Sequence, residues 1–368
     1  MQRNFLIAET WKKALKTQPL IAPWARAGLE TSRSIRSLAK LYASGTQFDR
    51  RITGANLVSV CHPNWQGVRS ASEGQGGDML YLPDMTARGV AKAADLILEA
   101  GYTHVAFNGF WIGYDWLARR LKSQRPSIRL FGIWHGSFAQ VTETFEGADD
   151  LKRVTDLARE GVLDRIGFVK NGMEKVFRYF GTPADLVLNR VPLQEHAVKE
   201  WDENAIALIP SGPNIRKNCH TQIIAALMSE CFAEIHVIED ELEYLYLDER
   251  QRQRLHYCKG LSRAEIFELM ARSTLAFNVT LSECAPMVVL EGIAFGTPCL
   301  SGNNHGIYDS NETLRSMLLV NREDDVCAIV DGILAIRENY PELLAQLHRF
   351  AIEYDRMASD GFEEFLNT

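Results

Sequence analysis

Apolar and polar positions alternate along most of the chain with the pattern of an α/β protein. From about residue 55 onward, short apolar runs of strand length are separated by longer amphipathic runs of helix length. The predicted strands of the first series are NLVSVCHP, DMLYLPD, YTHVAFNGF, IRLFGIWHG, LDRIGFVKN and ADLVLNRV. The predicted helices between them are MTARGVAKAADLILEAG, DWLARRLKSQ and DDLKRVTDLAREG. This alternation predicts a parallel sheet covered by helices.

A second series of the same kind follows a polar break at residues 192–204, PLQEHAVKEWDEN. Its predicted strands are AIALIPS, EIHVIED, RLHYCKG, STLAFNV, TPCLSG and MLLVN. Its predicted helices are NCHTQIIAALMSE, SRAEIFELMARS, PMVVLEGIAFG and EDDVCAIVDGILAIRENY, and Ser262 with Glu265 predicts a capping box at the second of these. The chain has 368 residues, more than one hydrophobic core usually supports. We therefore expect two Rossmann-like domains, at residues 51–195 and 196–340.

Both ends of the chain read as helical additions to these domains. Within residues 1–50, Trp24, Ile35, Leu38 and Tyr42 have spacings that can share one helix face. Residues 341–368 predict a C-terminal helix that can pack back on the first domain. The predicted fold class is therefore α/β, with two Rossmann-like domains facing each other across a cleft, a helical N-terminal extension and a C-terminal helix.

Composition narrows the class of protein. Hydrophobic residues make up 46% and charged residues 24%, as in ordinary soluble globular proteins. No apolar run reaches the roughly 18 residues of a membrane span, and the first residues are too polar for a secretory signal. The seven cysteines form no Cys-x-x-Cys pair, which favours buried thiols in a reducing compartment. We expect a cytoplasmic protein.

Charge is unevenly distributed along the chain. The net charge of −7 argues against a nucleic-acid partner, yet residues 1–51 hold ten Lys/Arg against three Asp/Glu. This basic segment, with Trp11 and Trp24, predicts either a surface for anionic lipid at the inner face of the membrane or a helical extension whose charges lie in water. The sequence leaves both alternatives open.

Two acids stand inside an otherwise apolar run, SECAPMVVLEGIAFGTPCLSGNNHG. Pro286 suits the first position of a helix, and the start of that helix would direct free N–H groups at the loop that holds Glu283. Such a helix start attracts anions. Glu291 falls about one and a half turns into the helix, so the two carboxylates could flank an extended ligand with a diphosphate between them. A nucleotide sugar has this shape, because each carboxylate can accept from a pair of hydroxyls.

The stretch ECAPMVVLEGIAFGTP, residues 283–298, resembles the donor-site signature of retaining GT-B glycosyltransferases, in particular glycosyltransferase family 4. The resemblance extends backwards through residues 261–283, and SGPNIRKNCHTQIIAA at residues 211–226 resembles the loop and helix whose basic pair holds the donor diphosphate. It implies the following donor-binding residues: Gly67, Gly212, Arg216, Lys217, Glu283, Ala285, Pro286, Met287, Val288 and Glu291.

The first half resembles the family more by the order of its elements than by its letters. The strand RLFGIWHG delivers His135 at the strand end, where the resemblance implies a histidine near the transferred sugar. Gly67, in HPNWQGVRS, stands where the family has a glycine-containing loop that lets the backbone approach the diphosphate.

The resemblance implies a nucleotide-sugar-dependent glycosyltransferase, with His135, Glu283, Lys217 and Arg216 in the catalytic site. The sugar would pass from a UDP- or GDP-linked donor to a glycan or lipid-linked acceptor with retained anomeric configuration, the donor phosphate taking the acceptor proton. We expect neither a cofactor nor an obligatory metal, since the chain has no Asp-x-Asp motif. A sugar-nucleotide epimerase of the same fold and a silent glycan-binding or partner subunit are the alternatives.

Each of these residues also has an ordinary structural alternative. The two acids could be merely solvated, and Arg216 with Lys217 could face water at a helix start. His62 competes with His135 for a role in the cleft, and Gly67 could be a turn glycine. Cys284 reads as a packed thiol, since no base stands beside it in the sequence.

Overall fold

The structure is a computed structural model. It describes residues 49–51, 53–83, 85–141, 147–212, 214–239, 241–242 and 246–368. Residues 1–48, which include Trp11 and Trp24 of the predicted basic extension, lie outside the described residues. Both interpretations of this segment therefore stay predictions.

The first domain contains a seven-stranded sheet with the order β1-β3-β2-β4-β5-β6-β7. Its strands are β1 (Asp49–Arg51), β2 (Leu57–Cys61), β3 (Asp78–Tyr81), β4 (His104–Asn108), β5 (Arg129–Trp134), β6 (Arg165–Phe168) and β7 (Ala184–Leu186). The six predicted strands are confirmed and pair in parallel.

Strand β1 corrects the predicted helical extension, because residues 49 and 50 pair antiparallel with β3. The sequence of this strand, Asp-Arg-Arg, is wholly charged and carries no period-2 signal. Charged side chains are common on edge strands, where they discourage pairing with other chains.

Six helices of the first domain lie in the described residues. They are α1 (Gln66–Gln75), α2 (Ala87–Glu99), α3 (Tyr114–Gln124), α4 (Phe138–Val141), α5 (Gly147–Arg159) and α6 (Met173–Tyr179). Helices α1, α4 and α6 were not predicted. Helix α1 lacks an apolar stripe because it buries small residues, among them Ser70 and Gly74. Small residues bring it close to its neighbours, and a Cβ on Gly74 would lie 1.8 Å from the carbonyl oxygen of Arg190.

The second domain contains a six-stranded parallel sheet with the order β10-β9-β8-β11-β12-β13. Its strands are β8 (Ile206–Ile209), β9 (Glu234–Val237), β10 (Leu255–Tyr257), β11 (Leu275–Asn278), β12 (Cys299–Gly302) and β13 (Leu319–Val320). Its helices are α7 (Cys219–Met228), α8 (Glu249–Gln253), α9 (Arg263–Arg272), α10 (Met287–Ala294), α11 (Glu312–Leu318) and α12 (Val326–Glu338). All six predicted strands and all four predicted helices are confirmed, as is the capping box of Ser262 and Glu265. The short helices α8 and α11 were not predicted.

The last helix, α13 (Tyr340–Asn367), joins the two domains. Its first half packs in the core of the second domain, whereas Phe362 and Phe365 pack against the first sheet. The ring centroids of Phe365 and Phe131, on β5, lie 5.1 Å apart. An ion pair between Arg190 and Asp355 (2.7 Å) fixes the helix to the chain that leaves the first domain.

Strand order identifies where each sheet can bind a ligand. In the second sheet the order reverses between β8 and β11, and in the first sheet between β2 and β4. A crevice forms outside the carboxyl ends of the strands at such a switch point. No helix among the described residues combines the length and the apolar character that crossing a membrane requires.

Candidate active site

Two basic residues and one acid meet at the switch point of the second sheet. Arg216 and Lys217 belong to a short 3₁₀ helix after β8, and Glu283 belongs to the loop after β11. The Nη1 atom of Arg216 lies 3.0 Å from Oε1 of Glu283, and Nζ of Lys217 lies 2.5 Å from the same oxygen. The structure therefore brings these three predicted site residues together.

The loop that carries the cations is held from several sides. Asn214 caps the 3₁₀ helix by accepting from the N–H of Arg216. The carbonyl oxygen of Arg216 accepts from the N–H of Leu281 at 2.8 Å, and the Arg216 guanidinium donates to the carbonyl oxygen of Ser282 at 3.0 Å. These bonds join the loop after β8 to the loop after β11. The basic pair is thereby fixed in place.

The charges of this cluster favour an anion. Glu283 is only 4% exposed, and two cations share its one carboxylate, which leaves an excess of positive charge. Lys170, which follows β6 of the first domain, is a third cation that interacts electrostatically with Glu283, and it donates to the carbonyl oxygen of Asn304. Burial lowers the pKa of Lys170, whereas neighbouring Cys284, Glu283 and Asp309 act in the opposite direction. Lys170 was not predicted as a site residue, although its place at the end of a predicted strand was a usable signal.

Helix α10 begins at Met287, four residues after Glu283. Pro286, which was predicted to be the first helical residue, is instead the N-cap residue one position before Met287, and its φ of −65° and ψ of 120° are extended. Pro286 suits this place because its carbonyl oxygen already accepts from the N–H of Val289. Ala285 is buried, and Met287 and Val288 form the first turn. The first N–H groups of a helix have no partner within it, so this turn can donate to an anion.

The second acid, Glu291, faces the first domain. Its Oε1 atom accepts from the hydroxyl of Ser70 on α1 at 3.1 Å. Arg263, at the start of α9, donates to the same hydroxyl at 2.5 Å and forms an ion pair with Glu73 at 2.6 Å. Burial raises the pKa of Glu291 to about 7, although the Ser70 hydrogen bond and Arg263 act in the opposite direction. Both predicted acids therefore lie where the two domains meet.

The two predicted glycines occupy different environments. Gly212 lies in the loop after β8, three residues beyond the end of the strand, where a Cβ would lie 3.0 Å from Oε2 of Glu239. Gly67 was predicted to lie in a loop, but it lies in the first turn of α1. A Cβ on Gly67 would meet nothing within 4 Å, so no close approach within the protein requires a glycine there.

His135 follows β5 at the carboxyl edge of the first sheet. Its Nε2 atom lies 3.0 Å from Oδ1 of Asn108, the last residue of β4. Removal from water lowers the pKa of His135 to about 4, so the ring is neutral near pH 7. A neutral ring that donates from Nε2 to Asn108 presents Nδ1 as an acceptor.

Cys284 connects His135 to the second domain. Its thiol donates to the carbonyl oxygen of His135 at 3.1 Å. Burial raises the pKa of Cys284 to about 11, with a further contribution from Glu283. A thiol that stays protonated is a packed group and a poor nucleophile, which agrees with the reading from sequence.

Three aromatic rings meet at the switch point of the first sheet. His62 and Trp65 follow β2, and Trp111 follows β4. The ring centroids of Trp65 and Trp111 lie 5.3 Å apart, and that of His62 lies 5.3 Å from Trp65 and 5.9 Å from Trp111. All three rings are partly exposed. Trp65 and Trp111 were not predicted as site residues, because the pairing of β2 with β4 that brings the three rings together does not show in the local sequence.

Part of the second domain is similar to a known protein family. Residues 238–354 match the family model described as "Glycosyl transferases group 1". The similarity to this family covers about a third of the chain, within the second domain and α13. The match includes Glu283 and Glu291, and the predicted enzyme class, a glycosyltransferase, is confirmed at this level. The narrower assignment to family 4 stays a prediction. A search of curated proteins found no match.

Solved structures confirm the predicted GT-B architecture. Sucrose-phosphate synthase from Thermosynechococcus elongatus is 12% identical with a TM-score of 0.54, over 85% of this chain and 98% of that one. An E. coli structure described as trehalose-6-phosphate bound with UDP-2-fluoro glucose is 11% identical with a TM-score of 0.55, over 84% and 98%. A UDP-N-acetylglucosamine 2-epimerase from Listeria monocytogenes is 12% identical with a TM-score of 0.53, over 83% and 93%. At these identities the likeness concerns the fold alone.

Proposed function

We propose that the protein transfers a sugar from a nucleotide-sugar donor, with the donor diphosphate held at the switch point of the second sheet. The observation that carries this proposal is the convergence of Arg216 and Lys217 on Glu283 at the start of α10. Such a site holds an excess of positive charge beside free helical N–H groups, as a diphosphate requires. One structural neighbour is described as bound with UDP-2-fluoro glucose.

Glu283 and Glu291 would bind the two ends of the donor. Glu283 stands beside the cations and would accept from hydroxyls of the transferred sugar. Glu291 lies further along α10 and would accept from the ribose hydroxyls, with Ser70 of the first domain beside it. Domain closure would then complete the site, because Ser70 and Lys170 come from the opposite domain.

Transfer would proceed with retained anomeric configuration. The acceptor oxygen bonds to the anomeric carbon on the face from which the phosphate leaves, the carbon–oxygen bond to the phosphate breaks, and the phosphate oxygen takes the acceptor proton. Arg216, Lys217 and the start of α10 would stabilise the charge that develops on the leaving diphosphate. The described residues supply no obvious nucleophile, since the Cys284 thiol is protonated and Glu283 is bound by two cations. The proposed reaction requires no metal, because Arg216, Lys217 and the start of α10 would stabilise the leaving diphosphate.

We assign the acceptor to the first domain. His135 would accept a hydrogen bond at Nδ1 from a hydroxyl of the transferred sugar. The cluster of His62, Trp65 and Trp111 would stack on a sugar ring of a glycan or glycolipid acceptor, since aromatic faces pack well on apolar ring surfaces. The basic segment 1–50 would add contact with anionic lipid, which flotation with anionic liposomes tests against a variant lacking these residues.

Binding of a nucleoside diphosphate is the decisive experiment. UDP, GDP and ADP are added separately at millimolar concentration, and the melting temperature of the full chain is measured. At least one should raise it, because a ligand that binds only the folded state stabilises that state. Lys217→Ala should abolish the rise, whereas Lys175→Ala, which removes an exposed lysine of α6, should preserve it.

Product analysis then separates the two enzyme classes. Sugar nucleotides of the base that binds are incubated with and without glycan acceptors, and the products are identified by mass spectrometry and NMR. A sugar-acceptor conjugate with the donor's anomeric configuration supports the proposal. Absence of nucleotide binding contradicts it, and a 2-epimerised sugar nucleotide formed without acceptor favours an epimerase.

A further inference from the structure

A cluster of metal-binding side chains lies on the second sheet, away from its switch point. Glu234 and His236 are alternate residues of β9, so their side chains share one face of the strand. His256 of β10 is the register partner of His236. Potential ligand atoms of the three residues lie within 4.8 Å of one another, and the part of the chain that the structure describes holds no other such group.

The geometry within the cluster suits a borderline divalent cation. Oε2 of Glu234 lies 2.7 Å from Nε2 of His236, and the two imidazole rings stack with centroids 4.9 Å apart. Two imidazoles and one carboxylate form a ligand set that Zn²⁺ uses with a water in the fourth position. Ligands about 2.0–2.2 Å from a tetrahedral ion are about 3.3 Å apart, so a small rotation of the Glu234 carboxylate would admit the ion.

Two neighbouring side chains, Cys258 and Arg272, affect how this site would bind a cation. The Sγ atom of Cys258 lies 3.7 Å from Nδ1 of His236 and is the nearest sulfur ligand. Arg272, at the end of α9, acts electrostatically on Glu234, His236 and Cys258. Its positive charge opposes binding of a cation, so its removal should strengthen binding. A merely structural histidine pair would not respond in this way.

We propose that Glu234, His236 and His256 bind a divalent transition-metal ion of the Zn²⁺ type and thereby join β9 to β10. This site is separate from the donor site and takes no part in sugar transfer. An ion bound by both strands stabilises the folded state by mass action. The proposal therefore stands or fails independently of the proposed function.

The test uses the full chain after treatment with a chelator. Zn²⁺ is titrated by calorimetry, and the melting temperature is measured with and without the ion. We expect about one equivalent of bound Zn²⁺ and a raised melting temperature. His256→Ala and Glu234→Gln should each weaken Zn²⁺ affinity at least about tenfold, as loss of a ligand or its partner does. The control His348→Ala, at an exposed histidine of α13, should change nothing.

Two further measurements sharpen the outcome. Arg272→Gln should tighten Zn²⁺ binding severalfold, because it removes an opposing charge. Co²⁺ in place of Zn²⁺ should show the visible bands of a tetrahedral site, and a thiolate charge-transfer band only if Cys258 joins the ligands. Zn²⁺ binding that is absent, or that survives both His256→Ala and Glu234→Gln unchanged, would overturn the proposal.

Discussion

Both sheets have a switch point in their strand order, but different kinds of side chain lie at the two switch points. In the second sheet, the loops after β8 and β11 bring together Arg216, Lys217 and Glu283. In the first sheet, the loops after β2 and β4 bring together His62, Trp65 and Trp111. One crevice is lined by charge and the other by aromatic rings.

This difference is the basis of our proposal that the second domain binds the donor and the first domain binds the acceptor. A diphosphate is defined by its charge, and a few cations beside a helix start can hold it. The proposed glycan acceptor would present apolar ring faces and hydroxyls, so aromatic rings and hydrogen-bond acceptors suit it better. The fold places both crevices at the carboxyl edge of a parallel sheet, and the residues at each edge decide what binds.

The largest expected effect is on the free energy of unfolding, through the contact between α13 and the first sheet. Phe365 is 2% exposed and packs from α13 on the first sheet, where Gly167 leaves room for its ring. Phe365→Ala should lower the free energy of unfolding by about 3–5 kcal/mol, because it removes a large ring and leaves a cavity. Urea denaturation measures this change.

A surface residue of the same helix is the matched control. Ile352 is 55% exposed, so Ile352→Ala should change the unfolding free energy by about 0.5 kcal/mol or less. If the two domains are stabilised together by α13, Phe365→Ala should lower the transition of the first domain more than that of the second. A loss below about 1 kcal/mol would show that α13 contributes little to the first domain.

The second domain was the easier half to predict. Its six strands are short and for the most part apolar, and Arg216, Lys217, Glu283 and Glu291 stand in the order of the donor-site signature that this half resembles. In the first domain the missed elements are those without a hydrophobic period. Helix α1 buries small side chains, and β1 is entirely charged. Their positions follow from tertiary packing, which local sequence does not express.

The candidate site shows the same limit. Residues near one another in sequence, such as Arg216 with Lys217 or Glu283 with Pro286, could be grouped from the letters. Partners that come from opposite domains could not. Ser70 beside Glu291 is the clearest case, because 221 positions separate two residues whose side chains lie 3.1 Å apart.

A medium effect is expected at the aromatic crevice. Trp111→Ala removes one ring from the cluster and should raise the acceptor KM about tenfold, corresponding to about 1.4 kcal/mol, while the donor KM stays unchanged. Steady-state transfer kinetics with the acceptor identified by product analysis measures both constants. Trp116→Ala is the control, since Trp116 is 52% exposed on α3. Equal effects of the two variants would remove the acceptor role of the cluster.

The smallest effect is a pH dependence that arises at Glu291. Burial raises the pKa of Glu291 to about 7 from its ordinary value of 4.5, so the folded state holds this proton more tightly than the unfolded state. The contribution of Glu291 to stability therefore falls as pH rises from about 4.5 to 7. In the proposed binding mode the ribose hydroxyls donate to the ionised carboxylate of Glu291, whose fraction rises from about one tenth at pH 6 to about nine tenths at pH 8. Affinity for a nucleotide sugar should therefore rise by up to about tenfold over this range.

Two variants test the origin of this dependence. Glu291→Gln should bind the nucleotide sugar more weakly and with little change between pH 6 and 8. The pKa of Lys199 is also lowered by burial, to about 7, but Lys199 titrates equally in both proteins, so the difference between their profiles reports Glu291 alone. Ser70→Ala removes a hydrogen bond that lowers the pKa of Glu291 and should move the rise in affinity to higher pH. The affinity for the nucleotide sugar is measured by calorimetry as a function of pH. If the wild type and Glu291→Gln gave parallel pH profiles, Glu291 would not bind the ribose. Only the charged cluster at Glu283 would then remain to bind the donor.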